Sequence, residues 1–372
     1  MNFKRDKRNI LILTLFFIIY YFSITRFGQY IYGSILDWNC QHYLIPDYFR
    51  KLFYETGNLL PSFAFNLGAG ENIYNLSYYG LLSPIILISY LLPFIPMKTY
   101  IQISSLILVY VSIILFYKWI SKKFDYKISM ISTLLFMFAT PLFFHSHRHI
   151  MFINYMPFLI MGLIGVDKYF NEQKKSLLSL SVFLIIMCSY FFSVGAIASI
   201  VIYGIYVYFK KNKDVTIKSF IIDGFKFLMP IIVGILMSSV LILPTFSALL
   251  NGRGESSVSI DYLKLFIPSL NNNYILYHTY SLGLTSIAIF SLIYSVINFK
   301  EEKRFLGIIL SVMIIFPIFV FILNGAMYLN AKVLIPFLPI FVFVISMTLD
   351  DIFKNGNIPW KIIVVFTVLC VV

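Results

Sequence analysis

The chain has 372 residues, of which 60% are hydrophobic, 19% aromatic and only 12% charged. Soluble domains carry about 25% charged residues, so a soluble enzyme, a nucleic-acid-binding protein and a secreted disulfide scaffold are excluded. The net charge of +13 does not indicate nucleic acid, because the basic residues lie in short stretches between apolar runs, where the positive-inside rule places them. The composition predicts an all-α polytopic membrane protein, with residues 1–372 forming a single transmembrane domain in contact with lipid.

Apolar runs of about 20 residues, the length that crosses a bilayer, recur along the chain. The last run has only 12 residues, which indicates either a fragment or a helix that ends half-way across. We predict about eleven spans, at 9–28, 99–119, 128–144, 150–169, 177–193, 194–209, 225–244, 279–299, 305–323, 333–349 and the truncated 361–372.

One further apolar stretch, 80–96, contains Pro84, Pro93 and Pro96. If it crossed the membrane, every later loop would change sides. If it does not, most of the 29 Lys and Arg residues lie on the same side as the N-terminal KRDKR sequence. We therefore predict a cytoplasmic N-terminus and a proline-broken segment at 80–96 that is re-entrant or lies in the outer leaflet.

This orientation leaves two long outer loops, at about 29–98 and 245–278. The first contains a predicted interfacial helix at 46–56, with Gly57 as its C-terminal stop. The alternative is a simple lid that packs on the helix bundle. The apolar face of this helix carries Tyr48, Phe49, Leu52 and Phe53, and the polar face carries Asp47, Arg50, Lys51 and Glu55.

Several residues in order along the chain resemble the YfhO-like family of bacterial membrane proteins. In the first outer loop they are Asp37, Gln41, Tyr43, Pro46, Arg50, Gly57, Pro61, Gly68, Gly70, Tyr78, Tyr79, Ser83 and Pro84. The HRH sequence at 147–149 and the SYFFSVGA sequence at 189–196 are similar to that family too. Gly68 and Gly70 also permit tight turns.

The resemblance implies a bundle like that of GT-C type glycosyltransferases, in the bacterial cytoplasmic membrane. Such enzymes take a sugar from a polyprenyl-phosphate carrier. Their usual catalytic candidate is an acidic residue in the first outer loop, and Asp37 matches that position. The expected acceptor is an extracytoplasmic cell-envelope glycopolymer, such as a teichoic acid or an exopolysaccharide.

Transfer from a lipid phosphate requires a carboxylate that takes a proton from the acceptor hydroxyl, and we assign this role to Asp37. Polar groups must hold the sugar, and the candidates are Gln41, Glu71 and Tyr79. Each has an ordinary structural alternative: Asp37 as a helix cap, Glu71 as loop punctuation, and Tyr79 as a member of an interfacial aromatic belt.

Cationic groups must stabilise the departing phosphate. Arg148 in the HSHRH sequence is the main candidate, with His147 and His149 as further ones and Arg253 and Lys332 as weaker ones. Simple interfacial snorkelling explains Arg148 equally well.

A histidine-rich tract also raises the question of metal binding. On a helix, His145 and His149 would share one face, as a zinc-binding pair does. No HExxH motif accompanies them, and the three cysteines have no metal-binding spacing, so we assign no metal ligands. The sequence leaves open whether a divalent cation assists the reaction.

Two other functions remain open at this stage. One is a transporter or flippase of a polysaccharide precursor, which would carry ionisable residues within its spans. The other is a polysaccharide polymerase or ligase, which would have a long arginine-rich outer loop late in the chain. The predicted spans are almost free of charge, and the long loop comes first, so glycosyl transfer is the favoured hypothesis.

Overall fold

The computed structural model describes residues 3–27, 33, 37–252, 261–269, 271, 274–356 and 358–371. Arg253, a candidate for phosphate binding, lies outside these residues. The described part is helical apart from two short antiparallel strands, β1 (Phe63–Ala64) and β2 (Glu71–Asn72). This composition of elements agrees with the predicted all-α membrane protein.

The α-helices of the described residues are α1 (Phe3–Phe27), α2 (Leu44–Thr56), α3 (Pro84–Ser89), α4 (Met97–Ile120), α5 (Tyr126–Met137), α6 (Thr140–Arg148), α7 (Met156–Glu172), α8 (Ser176–Cys188), α9 (Tyr190–Lys211), α10 (Ile217–Met237), α11 (Ser239–Gly252), α12 (Ser286–Ile297), α13 (Glu301–Ile315), α14 (Pro317–Leu323), α15 (Leu338–Asn355) and α16 (Trp360–Val371). A π-helical turn lies at Trp38–His42, and short 3₁₀ turns lie at Ile73–Tyr79, Ile150–Phe152, Tyr262–Phe266 and Ala331–Phe337.

A helix lies within each of the eleven predicted spans, but not all of these helices are long enough to cross a membrane. Among the described residues, five are long and apolar enough, and seven if α5 with α6 and α13 with α14 each form one bent span. These pairs bend by 43° and 84°. Pro141 and Pro317 stand at the first positions after the breaks, where proline begins a new helix readily. The number of eleven spans stays a prediction.

The two central helices of the bundle are α7 and α15. Every side chain from Val333 to Thr348 is buried, which is unusual for a helix at the lipid boundary and places α15 inside the bundle. Its polar Ser346 hydroxyl donates to the hydroxyl of Ser132 in α5 at 2.8 Å. Helix α10 is mostly exposed, and it contacts α8 closely at Gly234, where a side chain would collide with the Ser179 carbonyl.

Helix α2 occupies the range in which the sequence predicts an amphipathic helix, although it begins two residues earlier, at Leu44. It ends at Gly57, whose φ of 67° allows its N–H to donate to the Phe53 carbonyl. Arg50 differs from the prediction: it is buried rather than on a solvated face. Its guanidinium donates to the Ile95 carbonyl at 3.0 Å and to Asp47 at 3.1 Å. The reason is that the 80–96 stretch folds over α2 and leaves a carbonyl that needs a donor.

The stretch 80–96 forms only the six-residue helix α3 followed by turns, too short to cross a bilayer. Before it, Gly68 and Gly70 adopt φ values of 58° and 95° between the two short strands. These values agree with the tight turns that the glycines predict. The membrane side of this segment and its re-entrant character stay predictions.

Asp167 joins three elements at the far end of α7. Its carboxylate accepts hydrogen bonds from Lys123 at 2.6 Å, from the Trp119 indole at 2.9 Å and from the Tyr203 hydroxyl at 2.7 Å. Both charged side chains are about four-fifths buried. A buried charge that loses its partner is costly, so this cluster must hold α4, α7 and α9 together.

We expect Asp167→Ala to lower the free energy of unfolding by about 3 kcal/mol, because Lys123 is left buried without a counter-charge. Denaturant unfolding in detergent micelles measures this. Asp223→Ala is the matched control, because the Asp223–Lys226 pair is exposed and should contribute less than about 1 kcal/mol. Equal losses in the two variants would contradict this role of Asp167.

Candidate functional site

The candidate site begins where the chain enters the π-helical turn Trp38–His42. Asp37 precedes this turn, and its side chain is 52% exposed. Its Oδ2 lies 3.0 Å from Nε2 of His149, which is buried. Helix α6 ends at Arg148, and His149 leaves it with φ −141° and ψ 76°. The end of the helix thus brings the imidazole to a carboxylate 112 positions earlier in the chain.

Behind this pair, hydrogen bonds continue into the protein. His149 Nδ1 lies 3.0 Å from His145 Nδ1, and His145 Nε2 lies 2.9 Å from the Thr279 carbonyl. The two histidines are one helical turn apart and share a face, as the sequence predicts. The His145 ring stacks on Phe152, with the centroids 4.3 Å apart. Asp37 is therefore the exposed end of a chain of four polar groups.

A third imidazole, that of His42, packs against this chain. Its centroid lies 5.0 Å from that of His149, and the residue is 2% exposed. The pKa of His42 is lowered to about 3, mainly by burial and further by the nearby His149, while Asp37 partly offsets both effects. Burial also lowers the pKa of His149, and its hydrogen bond with Asp37 opposes that shift. The surroundings of both rings therefore favour neutral imidazoles, and Asp37 opposes this preference.

Gln41 and Tyr79 meet beside the histidines. The Tyr79 hydroxyl donates to Oε1 of Gln41 at 2.5 Å, and the Tyr79 ring lies 5.6 Å from that of His42. This contact joins the π-helical turn to the 3₁₀ turn Ile73–Tyr79. The Gln41 amide nitrogen, a donor group, is not used in this contact.

Two cations flank the His149 imidazole. The Arg148 guanidinium lies 4.9 Å from the centroid of Phe144, and the Lys332 ammonium lies 4.6 Å from that of Phe191. Both are close enough to lower the pKa of His149. Aromatic rings that hold cations in this way keep the charges at one place without neutralising them. The site therefore combines an exposed carboxylate with two positive groups.

The structure thus brings five of the candidates named from the sequence close together: Asp37, Gln41, Tyr79, Arg148 and His149. Their roles stay predictions. It does not bring two other candidates to them. Glu71 lies in β2 opposite Ala64, and no hydrogen bond or ion pair of the described residues joins it to Asp37. His147 contacts Ser146 at 2.7 Å and stacks on Tyr21, on another side of α6.

Sequence reasoning missed His42 and Tyr280. The Tyr280 ring lies 5.1 Å from that of His145 and 6.0 Å from that of His149. His42 lies five residues after Asp37, a spacing of little more than one helical turn. This spacing could have indicated that the two side chains lie close together. The chain contained no such signal for Tyr280, since its proximity depends on the path of the loop before α12.

The described residues contain no group of three or more His, Cys, Asp and Glu side chains that could hold a metal ion. The physical reason at this site is that the ring nitrogens of His145 and His149 face each other. Two ring nitrogens that face each other do not both point at one metal ion between the side chains. The arrangement is suited to holding protons.

The apolar helices and the polar cluster at their ends define a helical membrane protein. A family model described as bacterial membrane protein YfhO matches residues 10–372, almost the whole chain. The chain therefore belongs to the YfhO family of bacterial membrane proteins, as the resemblance in its sequence indicates. No curated protein and no solved structure matches it.

His42 should make the fold sensitive to acid. In the unfolded chain it takes up a proton below pH 6.5, whereas in the folded chain it does so only near pH 3. Stability is therefore lost as the pH falls between these values, by up to about 1.4 kcal/mol per pH unit. We expect His42→Phe to unfold with a shallower pH dependence in this range, measured by denaturant titrations from pH 7 to pH 4. An unchanged slope would contradict the buried, neutral state of His42.

Proposed function

We propose that the chain is a membrane glycosyltransferase that uses a polyprenyl-phosphate-linked sugar. The observation that supports this most directly is the exposed Asp37 carboxylate beside the two cations Arg148 and Lys332. Glycosyl transfer from a phosphate needs both signs of charge close together, because a proton leaves the acceptor as negative charge develops on the leaving group.

In the proposed reaction, the acceptor hydroxyl oxygen attacks the anomeric carbon of the donor. The bond between that carbon and the phosphate oxygen breaks, and the lipid phosphate departs with its electron pair. Asp37 receives the hydroxyl proton. Arg148 and Lys332 stabilise the departing phosphate, and Gln41 with Tyr79 supplies hydrogen bonds for the sugar. Arg253 remains a further phosphate candidate and Glu71 a further sugar candidate.

The distribution of Lys and Arg along the sequence favours an extracytoplasmic position for Asp37. Nucleotide sugars are not available on that side, whereas a lipid-phosphate sugar carries its headgroup there once it has been flipped. The acceptor would then be a cell-envelope glycopolymer, such as a teichoic acid or an exopolysaccharide. The aromatic and apolar surface around the site is compatible with an isoprenoid chain in the surrounding lipid.

A transporter or flippase of a polysaccharide precursor is the second candidate, because buried histidines and carboxylates in membrane proteins often form the proton pathways that drive transport. The hydrogen-bond chain argues against it. It ends at the Thr279 carbonyl, which accepts a hydrogen bond but has no proton to pass on. A pathway through the protein needs a continuation that this chain of four groups lacks among the described residues.

We expect Asp37→Asn to reduce sugar transfer at least about 100-fold, the lower range for losing a general base. The amide keeps the size of the side chain but cannot take the proton. The measurement is transfer of radiolabelled sugar from a synthetic polyprenyl-phosphate donor to envelope glycopolymer, with purified protein in liposomes.

Glu55→Gln is the matched control, since Glu55 is an exposed acid of the same outer segment, at the end of α2. It should transfer sugar at the rate of the unmodified protein. Full activity of Asp37→Asn would reject Asp37 as the base. Movement of the labelled donor between leaflets without any transfer would support the transporter instead.

A further inference from the structure

We propose that His145 is a positioning residue: held by the Thr279 carbonyl, it sets the tautomer of His149, so that Asp37 and His149 share one proton. The consequence for catalysis rests on the proposed function, in which Asp37 is the base. The arrangement of protons itself rests only on the contacts of these four residues.

The first step is the tautomer of His145. A backbone carbonyl only accepts hydrogen bonds, so the 2.9 Å contact between Thr279 and His145 requires a hydrogen on His145 Nε2. His145 is completely buried, and its ring contacts no carboxylate of the described residues. An imidazolium in that position would be very costly. His145 is therefore neutral, and its Nδ1 carries a lone pair.

The second step is the tautomer of His149. Its Nδ1 lies 3.0 Å from the Nδ1 lone pair of His145, so this contact requires a hydrogen on His149 Nδ1. In its neutral form, His149 then presents a lone pair at Nε2. That lone pair would face an oxygen of Asp37 at 3.0 Å, which is no hydrogen bond unless a proton lies between the two atoms.

The third step concerns the proton between His149 and Asp37, and it follows from the two tautomers. The contact between Asp37 and His149 holds one proton, either as an imidazolium with a carboxylate or as an imidazole with a carboxylic acid. The first form keeps Asp37 ionised, oriented and able to accept the hydroxyl proton on its other oxygen.

The charged and titratable groups that face His149 are Asp37 and His42 from the first outer segment, His145 and Arg148 from α6, Tyr280 from the loop before α12, and Lys332 from the 3₁₀ turn at Ala331.

The shared proton gives the pair a defined response to pH. When it is lost as the pH rises, two lone pairs face each other and Asp37 is released from its position. Transfer should then fall about tenfold per pH unit above the pKa of the shared proton. Replacing His145 with Phe keeps an aromatic ring against Phe152 but removes the acceptor for His149 Nδ1. Neutral His149 can then carry its hydrogen on Nε2 and bond to Asp37 without an additional proton.

The direct experiment is ¹⁵N NMR of histidine-labelled full-length protein in lipid nanodiscs. The chain has only five histidines, so single His→Gln variants assign every signal. In the unmodified protein we expect a protonated Nδ1 on His149 and a protonated Nε2 with an unprotonated Nδ1 on His145. In His145→Phe, the neutral His149 hydrogen should move to Nε2, whereas His147→Gln should leave the signals of His145 and His149 unchanged.

An unprotonated Nδ1 on His149 in the unmodified protein would overturn the proposal, and this measurement requires no variant to fold. In the transfer assay, loss of this fall with rising pH in His145→Phe supports the proposal, and an unchanged fall contradicts it. The NMR outcome does not depend on a sugar donor. A protein that shows the expected tautomers but transfers no sugar would therefore refute the proposed function and leave the proton arrangement standing.

Discussion

The hydrogen bond between Asp37 and His149 is the interaction on which the rest of the site depends. A carboxylate beside a membrane bundle must be paired or hydrated, and an imidazole buried beneath it must find partners for both nitrogens. Their 3.0 Å contact meets both requirements and joins the segment that follows α1 to the end of α6. His42, His145 and the two cations lie close together because this contact brings their elements to one place.

The position of the site follows from breaks in the bundle. Helices α7 and α15 form the buried interior. The α5–α6 pair bends, α6 ends at Arg148, and a short 3₁₀ turn precedes α7. At such breaks, backbone N–H and C=O groups lose their helical hydrogen-bond partners. A side chain at the break, such as that of His149, can then point away from the helix. The polar cluster around Asp37 and His149 thus lies where the helices are interrupted.

The sequence predicted much of the architecture and part of the site. Hydrophobic periodicity located a helix in each predicted span, and Gly57, Gly68 and Gly70 indicated turns that the structure contains. Helix lengths were harder to predict, because an apolar run does not show where a helix is broken. The run that forms α13 and α14, for example, is divided by a bend of 84°. Arg50 was assigned to a solvated face, whereas in the structure it is buried and donates to the Ile95 carbonyl. This contact arises because the 80–96 stretch folds over α2, which the hydrophobic pattern of α2 does not show. His42 and Tyr280 were missed for the same reason, since tertiary contacts decide their neighbours.

The central claim is that the site of Asp37 faces the outside of the cell, where a lipid-linked donor is available. Cys40 tests it without an introduced probe, because it is exposed and lies three residues after Asp37, whereas Cys188 is buried. With Cys370 replaced by Ser, intact cells are treated with a membrane-impermeant maleimide. The account predicts that Cys40 is labelled in intact cells. Labelling that occurs only after the membrane is permeabilised would contradict it.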